Sequence, residues 1–173
     1  MSALWRHLLL CGLFGRDVCH LTAFECLWEC ATRYALEGDR TDGVLIAAFK
    51  AVGLHNGAWW NASGTFLELG AGDGYGSKTH MLRQRAGWRG WLVDADYSNP
   101  DIGLHKEWLT ETNVVESLQR LGVTPHLDLL VVDVDFNSFW IWRALLSSRV
   151  VRPRVVVMAV NSFLGANASV VVR

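Results

Sequence analysis

From Thr65 onward the chain contains short apolar runs, TFLEL, GWLVDA, LDLLVVDVD and PRVVVMAV. Most of them have three or more apolar residues in succession and are rich in Val and Leu, which is typical of strands buried on both faces of a parallel sheet. Helical stretches separate the runs, at about 77–86 and 111–121. This alternation predicts an α/β fold with right-handed crossovers and a doubly wound, mostly parallel, Rossmann-like sheet.

The sequence before this region has a different pattern. Apolar residues recur at helical spacing between Leu21 and Leu36 and again in DGVLIAAFKAVG, and Gly53 is a suitable stop for the second helix. We therefore expect a helical N-terminal extension at residues 1–64 and an α/β domain at 65–173, which together suit the 173-residue length.

Composition limits the partners. The formal net charge of −1 gives no electrostatic attraction to nucleic acid or to an anionic membrane. No apolar stretch is long enough to cross a bilayer. A short apolar run at 8–14, after Arg6, leaves a weak signal peptide open as an alternative to an amphipathic helix, and we favour a cytoplasmic location.

The four cysteines show no zinc-binding spacing and are expected to be thiols.

The segment FLELGAGDGYGSKT connects the first strand to the first crossover helix, where open α/β sheets bind ligands. The dinucleotide fingerprint G-x-G-x-x-G fails, because Tyr75 or Ser77 stands where its last glycine is required. The P-loop pattern also fails, because Ser77 stands before Lys78 at the position where that pattern requires glycine. The segment fits E-x-G-x-G-x-G. Its glycines permit close approach of a ligand, and its acid suits a cationic, phosphate-free ligand.

This pattern resembles the first motif of class I S-adenosylmethionine (SAM) dependent methyltransferases. Asp94 ends the next strand, 24 residues after Gly70, which is close to the spacing of about 20 that is typical of acids that bind ribose hydroxyls. The later blocks GWRGWLVDAD, LDLLVVDVDFNSFWIWRAL and RPRVVVMAVNS resemble the FkbM-like branch of that superfamily over about 65–162. The resemblance implies SAM as cofactor and methyl transfer to oxygen or nitrogen of an unidentified small molecule. The predicted cofactor-binding residues are Glu68, Gly70, Ala71, Gly72, Asp73, Gly74, Asp94 and Asp133.

The stretch VVDVDFN supplies the predicted acceptor side. Asp133, Asp135 and Asn137 alternate, so on a strand they would share one face. We predict that Asp135 and Asn137 are catalytic and face the acceptor, whereas Asp133 contacts the cofactor or a backbone amide. Two alternatives stay open: one Asp caps the following helix, or the oxygen atoms bind Mg²⁺ or Ca²⁺. The EF-hand pattern fails at Ser138, and no metal ligand is assigned.

The chain departs from the FkbM-like pattern at three positions. Phe136 replaces a glycine, Ser138 replaces an acid, and Ala159 replaces the acid of the last block. The connection between Asp96 and Leu127 is short for a helix, a strand and a helix, and HKEWL is predicted as an abbreviated third strand.

The sequence ends at SVVVR, sooner than a complete class I fold does. We therefore expect a C-terminally incomplete domain that self-associates through an exposed sheet edge. The alternative function is a catalytically inactive, truncated Rossmann-like module that binds a nucleoside or a protein. The sequence also favours packing for Trp140 and Trp142 over an aromatic clamp for the acceptor, and it predicts that Lys78 and Arg83 belong to a solvated helix face.

Overall fold

A computed structural model describes residues 41–52 and 63–159 of the chain. The helices are α1 (Thr41–Ala51), α2 (His80–Ala86), α3 (Val114–Arg120) and α4 (Ser138–Ser148), with a 3-10 turn at Pro100–Ile102. The strands are β1 (Thr65–Leu69), β2 (Arg89–Asp94), β3 (Leu104–Lys106), β4 (His126–Val132) and β5 (Arg152–Met158). All pairings are parallel, in the order β3-β2-β1-β4-β5. The predicted α/β, Rossmann-like fold is confirmed.

The chain divides into two compact units, with α1 in the first and the sheet in the second. Helix α1 confirms the helix predicted from DGVLIAAFKAVG, with Leu45, Ile46 and Phe49 buried. The helix predicted at 21–36, the cysteines, the signal-like run and the terminal SVVVR lie outside the described residues. Self-association through that terminal segment therefore stays a prediction. Within the described ranges, no helix has the length and apolar character needed to span a membrane.

The centre of the sheet is buried on both faces, as the continuous apolar runs predict. Strand β1 is buried from Phe66 to Leu69, and β4 from Leu129 to Val132. On one face, the strands pack with α3 and α4 in a single apolar core that includes Leu67, Leu69, Leu130, Val132, Val114, Leu118, Ile141 and Leu145. Each such side chain contributes about 1.5–3 kcal/mol when it is fully buried. The central strands are therefore a rigid base for the loops that follow them.

The register of these strands aligns the residues that come after them. Leu69 pairs with Val93 of β2 and with Val132 of β4. The next residue in each chain segment therefore lies at the same edge of the sheet, and these residues are Gly70, Asp94 and Asp133. Two backbone hydrogen bonds connect the strand ends at this edge, from Asp133 N to Leu69 O at 2.8 Å and from Gly70 N to Val93 O at 2.9 Å.

The crossover from β2 to β3 is unusually short, as the sequence predicts. It contains only the 3-10 turn at Pro100–Ile102. Asn99 caps the start of this turn, where its side chain accepts from Asp101 N, and Gly103 caps its end with φ 69°. Strand β3 is shorter than predicted and ends at Lys106, so the second half of HKEWL lies in the following loop.

Asn113 and Glu116 have the spacing of a capping box, but no such box forms at the start of α3. Asn113 occupies the N-cap of α3 but makes no capping hydrogen bond. Its side chain is instead used by the preceding loop, because Oδ1 accepts from Thr110 N at 2.7 Å and Nδ2 donates to Trp108 O at 2.8 Å. Helices α2 and α3 begin a few residues later than their apolar patterns predicted.

The prediction that Asp133, Asp135 and Asn137 alternate on a strand is also wrong. Strand β4 ends at Val132, and a turn leads directly into α4. The turn is tight, since Asn137 N donates to Asp135 O at 2.7 Å and to Val134 O at 3.2 Å. Any common orientation of the three polar side chains therefore comes from the turn and not from strand geometry.

Two non-glycine residues among those described have left-handed backbone, Phe136 (φ 61°) and Arg149 (φ 54°). Such a conformation costs about 1–2 kcal/mol for a residue with a side chain. Arg149 ends α4, a position where glycine is favoured. Phe136 lies in the turn after β4 with 78% of its surface exposed, so packing offsets little of the strain.

Replacing either residue by glycine should therefore stabilise the protein. We expect Phe136→Gly and Arg149→Gly each to raise the free energy of unfolding by about 0.5–1 kcal/mol, because relief of strain exceeds the entropy cost of glycine. Urea denaturation measures both. Arg149→Gly is the matched control, with the same backbone change at the other end of α4. A loss of stability confined to Phe136→Gly would show that the Phe136 ring packs against the protein.

Candidate functional site

A cleft of about 360 Å³ lies at the carboxyl ends of β1, β2 and β4. The strand order reverses here, because the chain proceeds from β1 to β2 and β3 on one side and continues with β4 and β5 on the other. Open α/β sheets bind ligands at this switch point. The predicted site residues that line the cleft are Gly70, Gly72, Asp94, Asp133, Asp135 and Asn137. The four that do not are Glu68, Ala71, Asp73 and Gly74.

Two positions of the loop require glycine for different physical reasons. Gly70 has φ 85°, and a Cβ atom there would lie 2.0 Å from Asp133 O, so the backbones after β1 and β4 are in contact. Gly72 has φ 57°, and a Cβ atom there would meet no heavy atom within 4 Å. The first glycine therefore joins the two loops, and the second leaves open space beside the cleft.

The backbone N–H groups at the start of the loop donate to the protein itself. Gly70 N and Ala71 N both donate to Val93 O, at 2.9 and 3.2 Å. Gly72 N donates to Asp94 Oδ2 at 2.7 Å. A phosphate-binding loop directs such groups toward its ligand. This loop therefore lacks, at these three positions, the donors that a phosphate group needs.

Asp94 connects the loop to the end of β2. Its Oδ2 atom accepts from Gly72 N, and its Oδ1 atom accepts from Asp96 N at 2.9 Å. A carboxylate offers about four acceptor positions, and these two bonds use one on each oxygen. Asp94 lines the cleft and can still accept hydrogen bonds from ligand hydroxyls.

Glu68 is buried below the loop and does not line the cleft. Its carboxylate accepts from Lys78 N at 2.8 Å and from Thr79 N and Oγ1 at 3.0 and 2.6 Å. Burial raises the pKa of Glu68, and these three donors oppose the increase. The acid therefore holds the segment before α2 in place, and we expect it to influence a ligand only through the loop.

The rest of the loop is held by residues that the sequence assigned to a solvated face, and that assignment is wrong. Arg83 donates to Gly74 O, which also accepts from Ser77 Oγ at 3.1 Å. Lys78 Nζ lies 3.9 Å from Asp133 Oδ2. Asp73 is exposed, and its side chain accepts from Tyr75 N at 2.9 Å within a local turn. The predicted residues Asp73 and Gly74 thus shape the loop.

Asp135 is exposed at the cleft, and no donor among the described residues hydrogen-bonds to its carboxylate. The alternative that an Asp caps α4 is not supported, since Asn137 is at the N-cap and makes no capping bond. Ser138 Oγ instead bonds to both Val134 N and Val134 O, at 3.0 and 2.8 Å. The Asp135 carboxylate is thus available to accept a proton.

The lining of the cleft is acidic. It includes the carboxylates of Asp94, Asp96, Glu107, Asp133 and Asp135, and none of its described residues is Lys, Arg or His. Glu107 has partners outside the lining, because Arg120 donates to its carboxylate and Ser117 Oγ donates to Oε1 at 2.7 Å. The Arg120 hydrogen bond, followed by that of Ser117, lowers the pKa of Glu107. Glu107 therefore keeps its negative charge at neutral pH.

Sequence reasoning missed Asp96, Glu107 and Trp108 as lining residues. The position of Asp96 just after β2 is the sequence feature that could have identified it as a lining residue. Glu107 and Trp108 follow β3 in the same way, but they were placed inside that strand. Among the described residues, no group of three His, Cys, Asp or Glu side chains is arranged to hold a metal ion.

No family model, curated protein or solved structure matches the chain. The function must therefore be inferred from the residues of the cleft and from the fold that positions them.

Proposed function

We propose that this protein is a SAM-dependent methyltransferase of the class I superfamily, in its FkbM-like branch, acting on oxygen or nitrogen of a small molecule. The observation that carries the proposal is the acid-lined cleft at the switch point, bordered by a glycine loop whose first N–H groups donate inward. The strand order around the cleft supports it as well.

The charge of the cleft favours SAM over a dinucleotide. A pyrophosphate would approach several carboxylates, with no Lys, Arg or His among the described lining residues, and would find the N–H groups of residues 70–72 already bonded. SAM has no phosphate and carries a sulfonium and an ammonium group, both of which an acidic cleft attracts. The failed dinucleotide fingerprint is consistent with this preference.

The residues of the cleft fit such a ligand. Asp94 has acceptor positions for ribose hydroxyls, and Gly72 leaves space for close approach of the nucleoside. Asp133, which its position near the sheet predicts to contact the cofactor or a backbone amide, lies beside Lys78. That ion pair involves Oδ2 and leaves Asp133 Oδ1 without a partner among the described residues. Oδ1 can therefore accept a hydrogen bond from the ammonium group of SAM.

When bound, SAM would supply an electrophilic methyl group, to which a lone pair of the acceptor would bond while sulfur keeps the electrons of the broken carbon–sulfur bond. The protein contributes mainly proximity and orientation. Asp135 accepts the proton that the acceptor loses, and Asn137, beside it in the cleft lining, orients the acceptor by hydrogen bonding.

Calorimetric titration with SAM, S-adenosylhomocysteine and NAD tests the proposal, and Asp94 is its most specific variant. Asp94→Ala should weaken SAM binding by roughly 10- to 100-fold, because a hydrogen bond to a charged group contributes about 1.5–3 kcal/mol. Asp94→Asn, which can still accept from Gly72 N, should have a smaller effect. Asp101→Ala, an exposed acid in the 3-10 turn, is the control.

Equal affinity of the parent for NAD and SAM would reject the cofactor. Unchanged SAM affinity in folded Asp94→Ala would reject the ribose contact.

The alternative is an inactive nucleoside-binding module, and one observation favours it. Ala159 N donates to Val132 O at 3.0 Å, so Ala159 lies at the same sheet edge as Asp133. The FkbM-like pattern has an acid at the position of Ala159. SAM binding without turnover on any acceptor would support this alternative.

A further inference from the structure

A second cavity, of about 490 Å³, adjoins the cleft. Its lining comes from the loop between β3 and α3 and from the start of α4, and includes Thr110, Glu111, Thr112, Asn137, Trp140 and Arg143. Asn137 lines the cleft as well, so the two spaces meet at this side chain. A methyl acceptor must lie next to the cofactor, because transfer requires the reacting atoms about 3–3.5 Å apart. The second cavity has the required position.

The two cavities differ in charge. Among the described residues that line either one, Arg143 is the single Lys, Arg or His. Its Cζ atom lies 4.4 Å from the centroid of the Trp140 ring. The Trp140 ring is also in edge contact with Phe139, at 5.1 Å between centroids and 80° between planes. Arg143 and Trp140 together form a flat, cationic surface, so Trp140 lines the second cavity in addition to its ring contact with Phe139.

The present partner of Arg143 is exchangeable. Glu111 pairs with the guanidinium, but both side chains are well exposed, at 52% for Arg143 and 40% for Glu111. Exposed ion pairs of this kind contribute little stability. A ligand carboxylate can therefore replace Glu111, and the planar guanidinium suits it, since it can donate two parallel hydrogen bonds.

We propose that the second cavity binds the methyl acceptor, and that the acceptor is a planar aromatic acid. Its carboxylate pairs with Arg143, its ring stacks on the Arg143 and Trp140 surface, and its hydroxyl or amino group points toward Asn137. The acidic cleft repels the carboxylate end and so fixes the orientation. This inference rests on the proposed function. The transfer step is the one described above, with the released proton accepted by Asp135.

Two probes of the same shape test the charge requirement, 4-hydroxybenzoate and the neutral 4-hydroxybenzamide. Calorimetry on the full chain, with and without S-adenosylhomocysteine, should show the benzoate binding at least about tenfold more tightly. Arg143→Gln should abolish that difference. Glu111→Gln, which removes the competing carboxylate, should tighten benzoate binding by about threefold. Arg154→Gln is the matched control, since Arg154 is also exposed and paired with an acid, Asp128, at 3.4 Å but lines neither cavity.

Equal binding of the two probes by the parent, or binding of neither, overturns the inference. So does a preference for benzoate that survives Arg143→Gln or that is lost in Arg154→Gln. The titration with S-adenosylhomocysteine alone separates this failure from that of the proposed function. If the nucleoside binds but the benzoate preference is absent, only the aromatic acid is rejected. If the nucleoside does not bind, both proposals fall.

Discussion

Asp135→Asn should lower methyl transfer by roughly a hundredfold or more and leave SAM affinity within about threefold, the pattern of a lost general base. The carboxylate is exposed in the cleft and has no hydrogen-bond donor among the described residues, so it is not committed to holding the turn. The amide has the same shape but cannot accept the proton. Folding should therefore be unaffected. S-adenosylhomocysteine release measures turnover, and calorimetry measures SAM binding.

Asp101→Asn is the control for a generic loss of surface charge, and it should leave both quantities unchanged. Turnover that is unaffected in Asp135→Asn would remove Asp135 from the reaction. A large drop in the melting temperature of that variant would instead assign the carboxylate a structural role in the turn before α4.

Gly72→Val should abolish detectable SAM binding. No heavy atom lies within 4 Å of a Cβ atom built at Gly72, so a side chain there occupies the space left beside the cleft. The substitution also strains the backbone, because φ is 57° and a side chain in this region costs about 1–2 kcal/mol. Loss of binding must therefore be separated from loss of stability.

Gly122 provides the matched control. Its φ is 69°, a Cβ atom there also meets no heavy atom within 4 Å, and it lies after α3 and does not line the cleft. Gly122→Val should lower the melting temperature about as much as Gly72→Val and leave SAM binding intact. If Gly72→Val binds SAM as the parent does, the nucleoside does not approach the loop and the cofactor assignment fails.

The centre of the fold was predictable because burial on both faces leaves a direct trace in sequence. The runs that became β1 and β4 are continuous and apolar, and the glycine loop must follow β1. Strand β3 was placed less well, because three residues are too few to show a period. The error moved Glu107 and Trp108 into the strand and removed them from the predicted site.

Side-chain partnerships were the least predictable part. Asn113 matched a capping pattern, yet the loop before it offered better donors and acceptors. Trp140 and Arg143 are three residues apart on α4, so helical spacing brings them together. The sequence does not show that this pair faces the loop after β3. Asp135 and Asn137 were found for the wrong reason, since a turn and not a strand brings them to the cleft.

The loops after β1 and β4 are joined at several points. Gly70 lies against Asp133 O, Asp133 N donates to Leu69 O, and Lys78 connects the segment held by Glu68 to the Asp133 carboxylate. The first loop borders the proposed SAM side of the cleft, and the second carries Asp135 and Asn137. Because the two loops are already fixed to each other, neither ligand has to assemble the site for the other. The proposed methyltransferase should accordingly add its two substrates in random order, with little thermodynamic coupling between them.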